Sequence, residues 1–395
     1  MDSRKHDNDT RPRVGVVISK YGRGGAGTHA VWAIQALRDS ARVEFITCSD
    51  VHLNELNRFY GTDLRQGDFT FAPPPLPRWL RTGNRLCALR DALFYRHVVA
   101  RARELDAVIS AHNCLNVGVR AIQYIADVYF DVELSRAYLQ RQPPSTTLLQ
   151  RVYQRLVRIT VGSPRHDVVA RDMVLVNSRW IGQIVSRKFG VPVQVLYPPV
   201  AACPVPVSLD GRENGFVCLG RLVPEKKVDQ IVAIVGQLRD RGHDVHLHIV
   251  GGLDDSPYCR RLQDLCRGLG WVRLEGLLSG VRKWEMLARH RYGIHACLGE
   301  AFGIVVAEMM MAGCVPFVPS EGGTAEIVQE SQLVYRSPSD AVKQIDALLR
   351  NPSEVARLSE FSASRAKRFC VSRFKEELNI IVESFLSRKE PSNAQ

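Results

Sequence analysis

The chain has 395 residues, 45% of them hydrophobic and 24% charged, a composition that excludes a disordered or fibrous protein and is long enough for two cores. Its net charge of +12 is uneven: residues 1–200 hold 28 Lys+Arg against 17 Asp+Glu (+11), whereas residues 201–395 hold 25 against 24 (+1). The ten cysteines form no CxxC pair and no Cys/His cluster at zinc spacing, which argues against a disulfide scaffold and for reduced thiols in a cytoplasmic setting.

Residues 1–13, MDSRKHDNDTRPR, are polar and are expected to form a disordered tail without the apolar core of a signal peptide. No run approaches the roughly 20 apolar residues of a membrane span, so any membrane contact is expected to be peripheral. VGVVIS (14–19) reads as a buried parallel strand, followed by the glycine loop YGRGGAG and a helical run, HAVWAIQALRD. RVEFITC (42–48), DAVIS (106–110), AIQYI (121–125) and MVLV (173–176) read as further strands. Apolar strands alternating with helices predict an α/β, doubly wound domain over 14–200.

One segment breaks the rhythm. After the four prolines of APPPLP, Trp79, Leu80, Leu86, Leu89, Leu93 and Phe94 interleave at helical spacing with Arg81, Arg85, Arg90 and Arg96. It reads either as a surface helix with solvated arginines or as a peripheral membrane-docking helix.

YPPVAACPVPV is a proline-rich linker. A second α/β domain is expected over 201–372, with strands FVCLG, VHLHIVG and WVRLEG. Residues 373–395 are expected to form a C-terminal helix that crosses back to the first domain, and a tail. Two such domains place a ligand in the cleft between them.

In the second domain, GRLVPEKK (220–227) follows a predicted strand. Arg221 and Lys226 could grip a diphosphate there, Arg by its fork and Lys as a point charge. The stretch 292–328 holds Glu300 and Glu308 on either side of Phe302-Gly303 and an apolar helical run. Gly303 opens that helix, whose free amides attract an anion, and Glu308 could accept hydrogen bonds from sugar hydroxyls. Met309, Met310 and Met311 read as helix core. Gly322 and Gly323 permit close backbone approach, and Glu326 reads as a helix-start acid. His112, in ISAHNC, faces the cleft in this arrangement as either a ligand or a packed residue.

These pieces, in this order, resemble a family 4 glycosyltransferase of the GT-B fold, two Rossmann-like domains facing across a cleft. They are GRGGAGTH, MVLVNSRWIGQIVSRKFGVPVQVLYPPV, GRLVPEKK, EAFGIVVAE as an E-x7-E signature, and GGTAEIV; the resemblance spans roughly 14–385. IHACLGEAFGIVVAEMMMAGCVPFVPSEGG is similar to the lipid-linked α-mannosyltransferases. The resemblance implies a retaining enzyme with a GDP- or UDP-linked sugar donor and a glycan or lipid-linked acceptor. It implies no essential metal or cofactor. The basic first half favours an anionic partner, such as an anionic membrane surface or a phosphorylated substrate, and because that charge is spread out and no aromatic stacking platform is evident, no nucleic acid partner is expected. Arg221 and Lys226 would bind the donor diphosphate, and Glu300 the sugar. Phe302, Gly303 and Ile304 would offer amides, Glu308 would hold the ribose, and Gly24 and Gly25 would admit the diphosphate. His295 matches a histidine common in the mannosyltransferase-like subgroup and could instead be packing. Many members carry a histidine where Ala126 stands here; Asp127, next in line, could take part of its role.

Two alternatives compete. Gly22, Gly24 and Gly27 satisfy GxGxxG and would suit a dinucleotide-binding oxidoreductase, although Lys20 and Tyr21 separate them from the strand. The missing histidine would suit a non-catalytic nucleotide-sugar-binding subunit.

Overall fold

The computed structural model describes residues 9–21, 25–83, 86–111, 114–128 and 171–388, with the isolated positions 134, 138, 152 and 155. Its elements in chain order are β1 (Arg13–Val17), α1 (Gly25–Leu37), β2 (Arg42–Ile46), α2 (Leu53–Tyr60), β3 (Thr70–Phe71), α3 (Arg78–Thr82), α4 (Cys87–Ala102), β4 (Ala107–Ser110), β5 (Ile122–Ile125), β6 (Met173–Val176), α5 (Arg179–Phe189) and β7 (Gln194–Val195). After the linker come β8 (Glu213–Leu219), α6 (Val228–Asp240), β9 (His246–Val250), α7 (Pro257–Cys266), β10 (Val272–Gly276), α8 (Val281–Arg289), β11 (His290–Ile294), α9 (Ile304–Met311), β12 (Val315–Pro319), α10 (Gly323–Val328), β13 (Val334–Tyr335), α11 (Pro338–Leu349), α12 (Pro352–Ala366) and α13 (Val371–Ser387).

The strands form two sheets, ordered β3-β2-β1-β4-β5-β6-β7 and β10-β9-β8-β11-β12-β13. Every named pairing is parallel. The apolar, β-branched strands explain this: a parallel strand is covered on both faces and needs no polar alternation. Each sheet reverses its winding once, between β1 and β4 and between β8 and β11. Such a switch point opens a crevice at the carboxyl ends of the strands, where ligands bind in doubly wound folds.

Local signals set the helix ends. Ser178, Ser256, Ser337 and Asn351 each accept a backbone N–H of the first turn of α5, α7, α11 and α12, and Pro follows the cap in the last three. The second core is built around Phe216, Tyr292, Phe302 and Phe317, each ring contributing roughly 1.5–3 kcal/mol by leaving water. Met309 and Met310 are fully buried in it and Met311 packs against it. The segment around Trp79, expected as one helical stretch, is two helices, α3 and α4; Trp79 is two-thirds exposed, whereas Leu80, Arg90 and Phe94 are buried.

The chain leaves the first sheet after β7 and returns near its end. Val200 bridges to Cys370, and α13 buries Phe374, Leu378, Ile381, Val382 and Phe385 in the core formed by β1, α1 and β4. Asn379 ties this helix to α1, donating to the Ala36 carbonyl at 3.1 Å. Among the described residues no helix is long and apolar enough to cross a membrane.

Candidate active site

The carboxyl ends of β8 and β11 deliver two short segments to the switch point of the second sheet. After β8, Gly220 and Arg221 lead into a 3₁₀ turn, Pro224–Lys226. Lys227 then takes the left-handed conformation at φ 49° before α6 begins, a backbone cost of about 1–2 kcal/mol for a residue with a side chain. After β11, His295 and Cys297 are buried and the chain runs to Glu300.

Lys226 and Glu300 meet here: the ammonium pairs with Glu300 Oε2, and each side chain keeps about a fifth of its surface exposed. His295 Nε2 lies 3.4 Å from the same oxygen. Burial alone would push the Lys226 pKa down, but the Glu300 charge outweighs it and raises it to about 12. Burial would raise the Glu300 pKa; the Lys226 charge and His295 together hold it well below the carboxylate range. Burial lowers the His295 pKa, keeping its ring neutral, and pushes the Cys297 thiol up to about 12. The result is a neutralised carboxylate–ammonium pair beside a neutral imidazole. His295, Cys297 and Glu300 stand close enough to share a cation, but the Lys226 ammonium already occupies that carboxylate.

The backbone around Glu300 is clamped. Glu300 bridges to Gly322, Gly323 N–H donates to the Glu300 carbonyl at 2.7 Å, and Gly299 N–H to the Glu321 carbonyl at 3.2 Å. A Cβ on Gly322, whose φ is 115°, would stand 2.8 Å from the Glu300 carbonyl oxygen. The close approach expected of these glycines is therefore to the Glu300 segment. Gly303, at φ 94°, caps α9; its carbonyl accepts Val306 N–H at 2.9 Å, whereas the amides of Ile304 and Val305 precede any intrahelical acceptor. Phe302 is 2% exposed and stacks near Tyr197 and Phe369, so only its backbone can face a ligand. Ile304 is half-buried, and its Cδ1 lies 3.3 Å from where a Cβ on Gly25 would stand. The start of α1 therefore faces the start of α9 across the cleft.

The other expected residues are spread around this centre. Arg221 is exposed and adds positive charge next to Lys226. Glu308, one turn into α9, accepts from Lys283 Nζ of α8 at 2.6 Å. Asp127 is half-buried just beyond β5, after Ala126, whose carbonyl accepts from Asn177. His112 and Gly24 lie outside the described residues.

Sequence reasoning missed the residues that join the domains. Glu326 lies in the first turn of α10, as expected of a helix-start acid, but its hydrogen bonds go to a different helix. Its carboxylate accepts Arg179 N–H at 3.0 Å and Trp180 N–H at 3.1 Å, at the amino end of α5 in the first domain, and Tyr197 Oη–H at 2.7 Å. The free amides of α5 attract it more directly than those of its own short helix. Ser178 accepts from Ile181 N–H as the α5 cap and donates to the Ala301 carbonyl at 2.6 Å. Thus the segment next to Glu300 is fixed to the first domain.

Two parallel α/β domains with facing carboxyl edges define the GT-B fold, and solved glycosyltransferases share it. The chain superposes on a sucrose-phosphate synthase from Thermosynechococcus elongatus with TM-score 0.71 and 12% identity, covering 96% of this chain and 100% of that one. It superposes on Anabaena HepE, solved with UDP and glucose, with TM-score 0.66 and 14% identity, covering 95% and 100%. Residues 205–365, less than half of the chain, match the family described as glycosyl transferases group 1. In sequence the chain is similar to a Dictyostelium discoideum GDP-Man:Man(3)GlcNAc(2)-PP-Dol alpha-1,2-mannosyltransferase, 21% identical over 60% of this chain and 53% of the relative. It is also similar to a Mycolicibacterium smegmatis GDP-mannose-dependent alpha-(1-6)-phosphatidylinositol monomannoside mannosyltransferase, 29% identical over 38% of this chain and 42% of the relative. The chain spans about half or less of the length of these curated relatives.

Proposed function

We propose that this protein is a retaining glycosyltransferase that moves a hexose, with mannose the first candidate, from a GDP- or UDP-linked sugar to a hydroxyl of a lipid-linked or other glycan acceptor. One observation carries this: the Lys226–Glu300 pair with His295 at the switch point of the second sheet, with Gly25 facing Ile304 across the cleft. The group 1 match and the mannosyltransferase relatives support it, and the relatives' names motivate GDP-mannose and a lipid-linked acceptor.

In this proposal the donor diphosphate lies against Arg221, Lys226 and the amides of Phe302, Gly303 and Ile304, while Gly25 leaves room for it. Glu300 accepts hydrogen bonds from the sugar, and Glu308 from the ribose. The acceptor oxygen attacks the anomeric carbon on the face that the phosphate leaves. The bond from that carbon to the phosphate oxygen breaks, the new glycosidic bond forms, and the acceptor proton passes to a phosphate oxygen of the departing diphosphate. Arg221 and Lys226 offset the charge that gathers there, an effect typically worth about 3 kcal/mol per group. With Arg221 and Lys226 in this role, the proposal uses no catalytic metal. Asp127 lies on the acceptor side, and the +11 first half suits an anionic lipid acceptor or the cytoplasmic face of a membrane.

A second reading, a nucleotide-sugar-binding subunit without turnover, is favoured by Ala126 in the place of the histidine. Thermal-shift screening with GDP, UDP and ADP and their sugars identifies the base, because a ligand that binds only the folded state raises the midpoint. Transfer or donor hydrolysis with the preferred sugar then separates enzyme from binder. A shift with no turnover on any acceptor selects the binder, and no shift with any nucleotide rejects both.

A further inference from the structure

The opposite end of the second sheet carries a cluster that the proposed chemistry does not use. Glu213, His246 and His290 are the first residues of β8, β9 and β11, three strands adjacent in the sheet, and His248 lies two residues into β9. The spacing of two puts His246 and His248 on the same face of their strand. One potential ligand atom from each of the four residues falls within 4.8 Å of the others. Local sequence spacing hides this cluster, because it is assembled across three strands.

We infer that Glu213, His246, His248 and His290 form a structural binding site for a divalent transition metal, with zinc the best fit. Three observations carry this. First, His290 Nε2, in a ring 0% exposed, is buried without a hydrogen-bond partner, and the buried His246 Nε2 and His248 Nδ1 make no well-directed hydrogen bond although carboxylate oxygens stand 3.1 and 2.7 Å away. A buried polar atom without a partner is costly unless something else satisfies it. Second, His290 Nδ1 lies 2.7 Å from the Met286 carbonyl. Donation there fixes the tautomer and turns the Nε2 lone pair inward, the arrangement that orients a ligating histidine. Third, the sheet makes room for the rings: Gly215 is paired with His246, and a Cβ at Gly215 would collide with the His246 ring.

The carboxylate is oriented as well. Arg289 Nε holds Glu213 Oε1 at 3.1 Å, leaving Oε2 3.1 Å from His246 Nε2 and 3.8 Å from His290 Nε2. Glu275 flanks His248, with Oε1 2.7 Å from Nδ1, and adds a second negative charge at the rim. Three imidazoles and a carboxylate suit tetrahedral zinc. Metal–ligand bonds of about 2.0–2.1 Å put tetrahedral donor atoms ~3.3 Å apart, so binding draws these side chains inward by roughly an ångström. His246, about a third exposed, gives the ion its route from solvent. The site lies a full strand length from Lys226 and Glu300, so its role is to staple β8, β9 and β11 together.

The test uses untagged, full-length protein treated with chelator and titrated with Co²⁺ as a spectroscopic stand-in for zinc. The site predicts one equivalent bound, with the strong visible bands of four-coordinate cobalt, and displacement by Zn²⁺. It also predicts a Zn²⁺-dependent rise in thermal midpoint. His246→Ala and Glu213→Gln, both at the partly exposed rim, should each weaken Co²⁺ binding by at least about 10–100-fold. Cys87→Ser, at an exposed thiol, should leave it unchanged. Absence of stoichiometric binding by folded wild-type protein overturns the site, as does binding that survives both rim variants or vanishes with Cys87→Ser. None of these readouts depends on glycosyl transfer.

Discussion

The two ends of the second sheet each set a carboxylate against buried imidazoles, yet they suit opposite charges. At the carboxyl end Glu300 is already neutralised by Lys226, Arg221 adds a further cation, and the α9 amides point outward, so the surplus is positive. At the amino end Glu213 faces three imidazoles, of which burial keeps His248 and His290 neutral, with Glu275 close by, so the surplus is negative or lone-pair. The same residue types thus hold an anion at one end and a cation at the other, according to whether an ammonium sits among them.

The largest effect expected at the carboxyl end is on turnover. Lys226→Ala should lower kcat by about 10²–10³-fold in a transfer assay; a kcat near wild type would place the diphosphate elsewhere. Glu308→Gln, which loosens the Lys283 pairing and the proposed ribose contact, should raise the donor KM by roughly 10-fold with a smaller change in kcat. Equal losses in kcat and kcat/KM would move Glu308 to the transition state instead.

The interdomain clamp gives a stability effect. Glu326→Ala removes two hydrogen bonds at the amino end of α5 and one from Tyr197, and should cost about 1–2 kcal/mol in urea unfolding. Tyr197→Phe, which deletes one of the three, should cost about 1 kcal/mol or less. If Tyr197→Phe cost more than Glu326→Ala, the carboxylate would not be the centre of the clamp.

The smallest effect is on pH dependence. The folded-state pKa of His295 is depressed from 6.5 by burial, so its contribution is present above 6.5 and is lost as pH falls below it. The depressed Glu300 pKa acts in a lower window, with loss beginning as pH drops below 4.5. His295→Gln should therefore flatten the fall of the thermal midpoint between pH 7 and 5 while leaving the steeper loss below 4.5. An unchanged slope in the upper window would assign it to other groups.

The strands were legible in the sequence because buried parallel strands are short apolar runs: MVLV and RVEFI fall where the pattern puts them. The start of α9 was legible because Gly303 can adopt φ 94° at little cost. The grouping of Lys226 with Glu300 followed from both lying just past predicted strands. What stayed hidden depends on distant pairings. Glu326 meets Arg179 and Trp180 across 147 and 146 positions, and no local pattern announces that one helix end will take an acid from another domain. The Lys283–Glu308 pair links two helices whose faces the sequence leaves open. The His246-x-His248 alternation was a visible signal, but its partners at 213 and 290 become neighbours only through strand order.

A structure of the protein with a nucleoside diphosphate sugar is the decisive test of donor binding at the Lys226–Glu300 pair. The diphosphate should lie between Gly25 and the α9 amides, within hydrogen-bonding reach of Lys226 and Arg221, with the sugar on Glu300. A donor lodged outside that cleft, with the Lys226–Glu300 pair untouched, would contradict it.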